Sequence, residues 1–152
     1  MTSPILLCTD GSDQSMDALS AGLDLLGRDH DYVLVTVADA PDPELLSGTG
    51  HAGAVLSADE FDLALGAANE TAHQVLAGVQ ARLGLDRIEL RVLPGEPAAA
   101  ICDLATEVGA RAVVLGTRGR GGIARALLGS VSDHVVRNAP CTVLVTRAHS
   151  AT

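Results

Sequence analysis

Short apolar runs alternate with longer segments whose apolar side chains recur every three or four residues, and that alternation organises the whole chain. Pro4 to Thr9 is the first run, closed by Asp10-Gly11-Ser12. Ser12 has the chemistry of an N-cap, and Asp13 and Asp17 follow where a helix dipole favours acids. Met16, Leu19, Leu23 and Leu26 then line one helical face as far as Gly27. Asp31 to Ala38 is valine-rich and continuous, the pattern of a strand covered on both faces of a parallel sheet. Asp39 to Leu56 holds two prolines, three glycines and no period, so it reads as a long loop.

Ser57 and Glu60 have capping-box spacing, and Phe61, Leu65, Ala68, Ala72, Val75, Val79 and Leu83 follow as one helical stripe. Arg87 to Leu93 alternates Ile88, Leu90 and Val92 with Glu89 and Arg91, which marks a strand at a sheet edge. Pro97 opens a third helix with Ile101, Leu104, Ala105 and Val108 on its stripe and Gly109 at its end. Ala112 to Leu115 is a fourth strand, and a glycine-rich turn leads from it to a helix opening at Gly129-Ser130. Thr142 to Thr146 is the last strand. Strand and helix in strict alternation predict one α/β domain over residues 1–152, a doubly wound parallel sheet, with 148–152 as a tail.

Composition narrows the function. No apolar run approaches the ~18–20 residues of a membrane span, and the amino terminus lacks a secretory layout. Cys8, Cys102 and Cys141 are far apart, form no CxxC, and each sits in an apolar stretch, so they read as buried thiols. A cytoplasmic protein is expected. The net charge of −9 opposes binding to nucleic acid or an anionic membrane. Tyr32 and Phe61 are the chain's aromatic residues, too few for base stacking. The five histidines, His30, His51, His73, His134 and His149, show no metal-ligand spacing and read as surface residues.

Charge is unevenly distributed. From Arg111 to Arg147 there are six arginines against one acid, Asp133, which predicts a positive region around the glycine turn. Strand, glycine turn and helix start are the parts of a phosphate cradle, because amides without partners at a helix N-terminus face the anion. A serine-capped loop-to-helix junction would give the same Gly129-Ser130 pair, and a plain Asp-Gly turn would explain Asp10. With no lysine in the chain a P-loop is excluded. Gly119 to Ala124 fits GxGxxA formally, but it follows the fourth strand and lacks the expected downstream acid.

The spacing Gly116, two residues, Gly119, nine residues, Gly129-Ser130 resembles the nucleotide-binding signature of the universal stress protein family, in its ATP-binding branch. Leu127 to Ser132, Ala139 to Val145 and Ile5 to Ser12 are also similar to that family. The resemblance implies an adenine nucleotide alpha hydrolase-like fold of three layers with strand order 3-2-1-4-5, which sets the Thr9-Asp10 corner beside the glycine turn. It implies ATP as ligand, with Mg²⁺ near Asp10. Gly116, Arg118 and Gly119 would then lie around ribose and phosphates, and Gly129, Ser130, Val131 and Ser132 at the terminal phosphates. Thr9 would complete the first corner, and Val37 and Leu115 would line the adenine pocket. A homodimer through strand 142–146 and a regulatory rather than enzymatic role are also implied. A slow ATPase and a nucleotide-free dimer acting through protein partners are the alternatives.

Overall fold

The computed structural model describes residues 2–47, 55–117 and 128–147. Five parallel strands, β1 (Ile5–Cys8), β2 (Tyr32–Val37), β3 (Ile88–Leu93), β4 (Ala112–Gly116) and β5 (Thr142–Thr146), form one sheet in the order β3-β2-β1-β4-β5. Helices α1 (Asp13–Leu26), α2 (Glu44–Ser47), α3 (Ala58–Leu83), α4 (Pro97–Glu107) and α5 (Ser130–Asn138) connect them. The order expected from the family resemblance is the order found, and the alternating strand Ile88–Leu93 lies at the sheet edge.

Side-chain alternation divides the core into two layers. Ile5, Leu7, Leu34 and Val114 point to one face, where Met16, Leu19 and Leu23 of α1 and Leu76, Val79 and Leu83 of α3 cover them. Leu6, Val33, Val35, Val113 and Leu115 point to the other, against Ala98, Ile101 and Leu104 of α4 and Val135 of α5. Both faces of β1 are therefore buried, which is why its sequence is apolar at every position.

The helix ends follow local chemistry. Ser12 caps α1 by accepting from the Ser15 amide, and Ser57 with Glu60 closes both bonds of a capping box on α3. Glu96 caps α4 through bonds from the Ala98 and Ala99 amides, with Pro97 in the first turn.

Two expectations need correction. The segment read as an uninterrupted loop contains α2, opened by a bond from the Glu44 amide to the Asp42 carboxylate at 2.9 Å. Four residues are too few to show a helical period. The Leu56 amide donates to the Leu45 carbonyl at 3.0 Å, so both described ends of the segment meet. The α3 stripe is buried only from Ala72 onward, and Leu76, outside the expected stripe, is fully buried. Length is the cause. Twenty-six helical residues span about 39 Å, whereas a six-residue strand covers about 20 Å. The amino half of α3 therefore runs past the sheet, leaving Phe61, Leu65 and Ala68 half-buried and Leu63 at 76% exposure.

Truncating Leu76 to Ala should lower unfolding free energy by about 2–5 kcal/mol, while Leu63→Ala should change it by less than about 0.5 kcal/mol. Urea denaturation of both variants checks the corrected register, and similar losses in the two would contradict it.

Candidate functional site

The chain steps outward from β1 to β2 and β3, then returns to lay β4 on the other side of β1. The helices that follow β1 and β4 consequently lie on opposite faces, which makes the carboxyl ends of these two strands the switch point where sheets of this kind form a ligand crevice. Pairing of Ile5, Leu6 and Leu7 with Ala112, Val113 and Val114 sets the two corners side by side.

The first corner is Thr9 to Ser12. Thr9 is buried; its amide donates to the Val35 carbonyl at 2.9 Å and its carbonyl accepts the Thr36 hydroxyl at 2.8 Å. Thr9 Oγ1 accepts the Gly11 amide at 3.0 Å and the Ser15 hydroxyl at 2.8 Å. Asp10 is half-buried, and its Oδ1 accepts both the amide and the hydroxyl of Ser12, at 2.9 and 2.6 Å. An Asp-Gly turn and a helix start are thus both present, as the bland reading of this segment requires. Gly11 has φ of +82°, and a Cβ there would lie 2.8 Å from Val75 Cγ1. The turn needs glycine for its backbone and for the close approach of α3.

The second corner joins Gly116 and Thr117 to the start of α5. The Thr117 amide donates to the Thr146 carbonyl at 3.1 Å, and the Thr117 carbonyl accepts the Gly129 amide at 2.7 Å. That last bond ties the end of β4 to the start of α5. Gly129 is the N-cap of α5 and supplies no side-chain bond, so Ser130 is the first helical residue, not the cap, and is exposed. The first intrahelical bond of α5 runs from the Asp133 amide to the Gly129 carbonyl at 2.9 Å. Amides preceding it, those of Ser130, Val131 and Ser132, carry the positive end of the helix dipole. The Ser132 side chain is buried, its hydroxyl donating to the Gly129 carbonyl at 3.0 Å, so it faces the junction rather than the crevice.

The structure therefore brings Thr9, Asp10, Gly116, Gly129, Ser130, Val131 and Ser132 to the same end of the sheet. Leu115 is buried in the layer under α4 and α5, and half-buried Val37 continues the face of Val33 and Val35 in that layer. Arg118 and Gly119 lie outside the described residues, as do Arg120, Arg125, His51 and His149. Of the arginines in the positive region read from the sequence, the described Arg111 and Arg137 lie apart. Arg111 precedes β4, at the opposite end of that strand from the glycine turn. Arg137 is in the last turn of α5 and pairs with Asp133 at 3.1 Å. Residues close in sequence are separated here by the length of a strand or helix.

Cys8 ends β1 fully buried; burial pushes its thiol up to about 12, with Cys102 and Cys141 adding to the rise. These two cysteines are half-buried against the same cluster, and burial raises their thiols too. Among the described residues no group of three or more histidines, cysteines and acids is placed to hold a metal. His73 and His134 are exposed, as expected, and His30 is half-buried edge-on to Tyr32. A polar hollow of about 410 Å³, lined by Thr2, Ser3, Asp29, His30, Asp31 and Arg111, lies at the amino ends of the strands, away from both corners. Ser15 and Thr36 escaped the sequence reading; the only signal was a hydroxyl at a position where alanine or valine suits the element better.

The sequence matches the profile of the Universal stress protein family over residues 1–147. A universal stress protein of Thermus aquaticus, described by its place in the QAH/OAS sulfhydrylase 3' region, is 35% identical over 147 residues, covering 97% of this chain and all of that protein. A solved universal stress protein in complex with cAMP is 31% identical, covers 97% of this chain and 98% of its own, and superposes with a TM-score of 0.61. The solved protein MJ0577 has a TM-score of 0.70 over 99% of both chains at 20% identity, a likeness of fold.

Replacing Gly11 by Ala should cost about 1–2 kcal/mol, because an L side chain is forced into the left-handed region and against Val75; thermal denaturation measures it. The unfolded Cys8 thiol ionises above its ordinary value of 9.0, whereas the folded one holds its proton to about 12. Stability from this burial is therefore complete below pH 9 and is lost as pH rises toward 12, by up to about 1.4 kcal/mol per unit. Urea denaturation between pH 8 and 10 should show a shallower decline for Cys8→Ala than for the unaltered chain.

Proposed function

Since the chain belongs to the universal stress protein family, we propose that it binds ATP as a regulatory ligand in the cytoplasm during a stress response, with little or slow hydrolysis. The observation that carries this reading is the N-terminus of α5, capped by a glycine without a side-chain bond and set at the switch point beside Asp10. Amides there match a phosphate in charge and geometry. The relative solved with cAMP holds an adenine nucleotide on the same architecture, which supports the nucleotide class.

In this reading the amides of Ser130 and Val131 and the exposed Ser130 hydroxyl meet the terminal phosphates. Ser132 supports them from beneath, and Gly116, Arg118 and Gly119 lie along ribose and phosphates. Val37 and Leu115, on one face of the sheet with Thr9 at the corner between them, border the adenine, gripped by aliphatic contact in a chain poor in aromatic residues. Asp10 as it stands does not fit a directly bound Mg²⁺, because its Oδ1 accepts two bonds from Ser12 and its Oδ2 is buried; an ion carried in with the nucleotide would keep phosphate oxygens and waters as its ligands. When bound, the ion would neutralise part of the triphosphate charge.

Nothing in the described corners supplies a general base, and the chain has no lysine to stabilise a departing phosphate. This favours a ligand-sensing role over turnover. The chain is also proposed to form a homodimer through β5, whose Thr142–Thr146 edge pairs with no strand on its outer side among the described residues and whose Val143, Leu144 and Val145 are only half-buried.

Calorimetry with ATP, followed by phosphate release at saturation, separates the readings. Binding with release slower than about one per minute supports a sensor, against ~10 per second for ordinary enzymes. No binding at millimolar ATP would leave the partner-only dimer. Gly129→Val should abolish binding with the fold retained. The native φ of −68° is open to valine, and the new side chain would stand before the helix amides. Micromolar affinity in that variant contradicts the cradle. Sedimentation at tens of micromolar should give a dimer, and a monomer would remove β5 as an interface.

A further inference from the structure

At the end of the sheet opposite the two corners lies the hollow of about 410 Å³ lined by Thr2, Ser3, Asp29, His30, Asp31 and Arg111. Its walls come from three places in the chain: the residues before β1, the turn between α1 and β2, and the residue before β4. Backbone bonds lash these together. The Ile5 amide donates to the Asp31 carbonyl at 2.9 Å, and the Arg111 amide donates to the Pro4 carbonyl at 2.8 Å. The Thr2 hydroxyl donates to Asp31 Oδ2. His30 stands edge-on to Tyr32, whose hydroxyl is anchored on the Gly27 carbonyl at 2.6 Å.

The charges around the hollow are of both signs. Arg28, next to Asp29 in the chain, is engaged elsewhere: its guanidinium donates to the Leu83 carbonyl at 2.7 Å, at the end of α3. Arg111 is then the cation of the hollow, and Asp29 and Asp31 are its acids. Arg111 and Asp29 line the same hollow without pairing. Among the described residues neither side chain makes a hydrogen bond or salt bridge.

These charges select among ligand classes. A phosphate or other polyanion would meet Asp29 and Asp31. An inorganic cation would meet Arg111, and no group of three or more histidines, cysteines and acids among the described residues is placed to hold a metal. An apolar molecule would cover hydroxyls and carboxylates without giving them partners. A molecule carrying both an anionic and a cationic group is favoured by both signs: guanidinium forks bind carboxylates, and carboxylates accept from an ammonium. The volume lies at the lower end of the range of about 300–1,000 Å³ usual for ligand pockets, which suits a small molecule. We infer that this hollow is a binding site for a free α-amino acid, its carboxylate on Arg111 and its ammonium on Asp29 and Asp31. The site is distinct from the nucleotide crevice and does not rest on the ATP reading.

The test is a proton–nitrogen NMR titration of the full chain, without nucleotide and at fixed salt, with each of the common amino acids at millimolar concentration. At least one should shift the amides of Ser3, His30, Asp31 and Arg111 saturably while leaving those of Ser130 and Val131 in place. Acetate and methylammonium, each carrying one of the two charges, should bind far more weakly to the unaltered chain. Arg111→Ala and Asp29→Asn should each weaken the amino acid about 10- to 100-fold, and Arg137→Ala, an exposed arginine elsewhere, should leave it unchanged. Arg111 and Asp29 are both exposed, so their variants should keep the fold; the comparison with acetate and methylammonium decides the matter should either fail to. No saturable shift with any amino acid overturns the inference. So does acetate binding as tightly as the amino acid, or full affinity in Arg111→Ala.

Discussion

Pairing between β1 and β4 is the contact on which the rest of the molecule depends. Ile5, Leu6 and Leu7 meet Ala112, Val113 and Val114 across more than a hundred residues of chain. Without it, β1-β2-β3 and β4-β5 would be two half-sheets, each with an open apolar edge. With it, β1 lies at the centre of the sheet, buried on both faces, and the two corners stand together. The entropy of closing so long a loop grows only slowly with its length. Continuous apolar burial along β1, β2 and β4 offsets it.

Close approach of the covering helices makes that burial effective. At Gly22 of α1, a Cβ would come within 2.7 Å of Val114 Cγ1, so the helix rests nearer β4 than any larger residue would allow. The Thr146 hydroxyl donates to the Ala18 carbonyl at 2.6 Å and ties β5 to the same helix. On the opposite face, α4 and α5 close over Leu6, Val113 and Leu115. The chain turn at the carboxyl end of β1 is in this way seated against α3, where Gly11 meets Val75.

Electrostatics at the crevice come from backbone more than from side chains. Of the described arginines in this half of the chain, Arg147 follows β5 at the carboxyl end of the sheet, Arg111 lies at the far end of β4 and Arg137 is paired with Asp133. Exposed ion pairs of that kind contribute little and are screened by salt. The α5 amides are different: they are fixed by the helix, and the bond from Gly129 to the Thr117 carbonyl sets where the helix begins.

Much of this was legible in the residues alone. Capping chemistry at Ser12 and at Ser57 with Glu60, continuous valine in β2 and alternation in β3 each follow from interactions within a few residues, and sequence periodicity reports those directly. The short helix Glu44–Ser47 was hidden, because one turn has no period, and so was the emergence of α3 beyond the sheet, because a stripe does not reveal what faces it. The glycine spacing and Asp10 marked two polar corners. The chain's own chemistry could not say that they adjoin, and that step was supplied by family resemblance. Nor could the residues show that Ser130 follows the cap, that Ser132 turns inward, or that Ser15 and Thr36 meet at Thr9. Local sequence determined which segments are strand, helix and turn; strand order and the bonds between distant residues were decided by packing, since only the assembled sheet brings Thr9, Thr36 and Gly129 to one end.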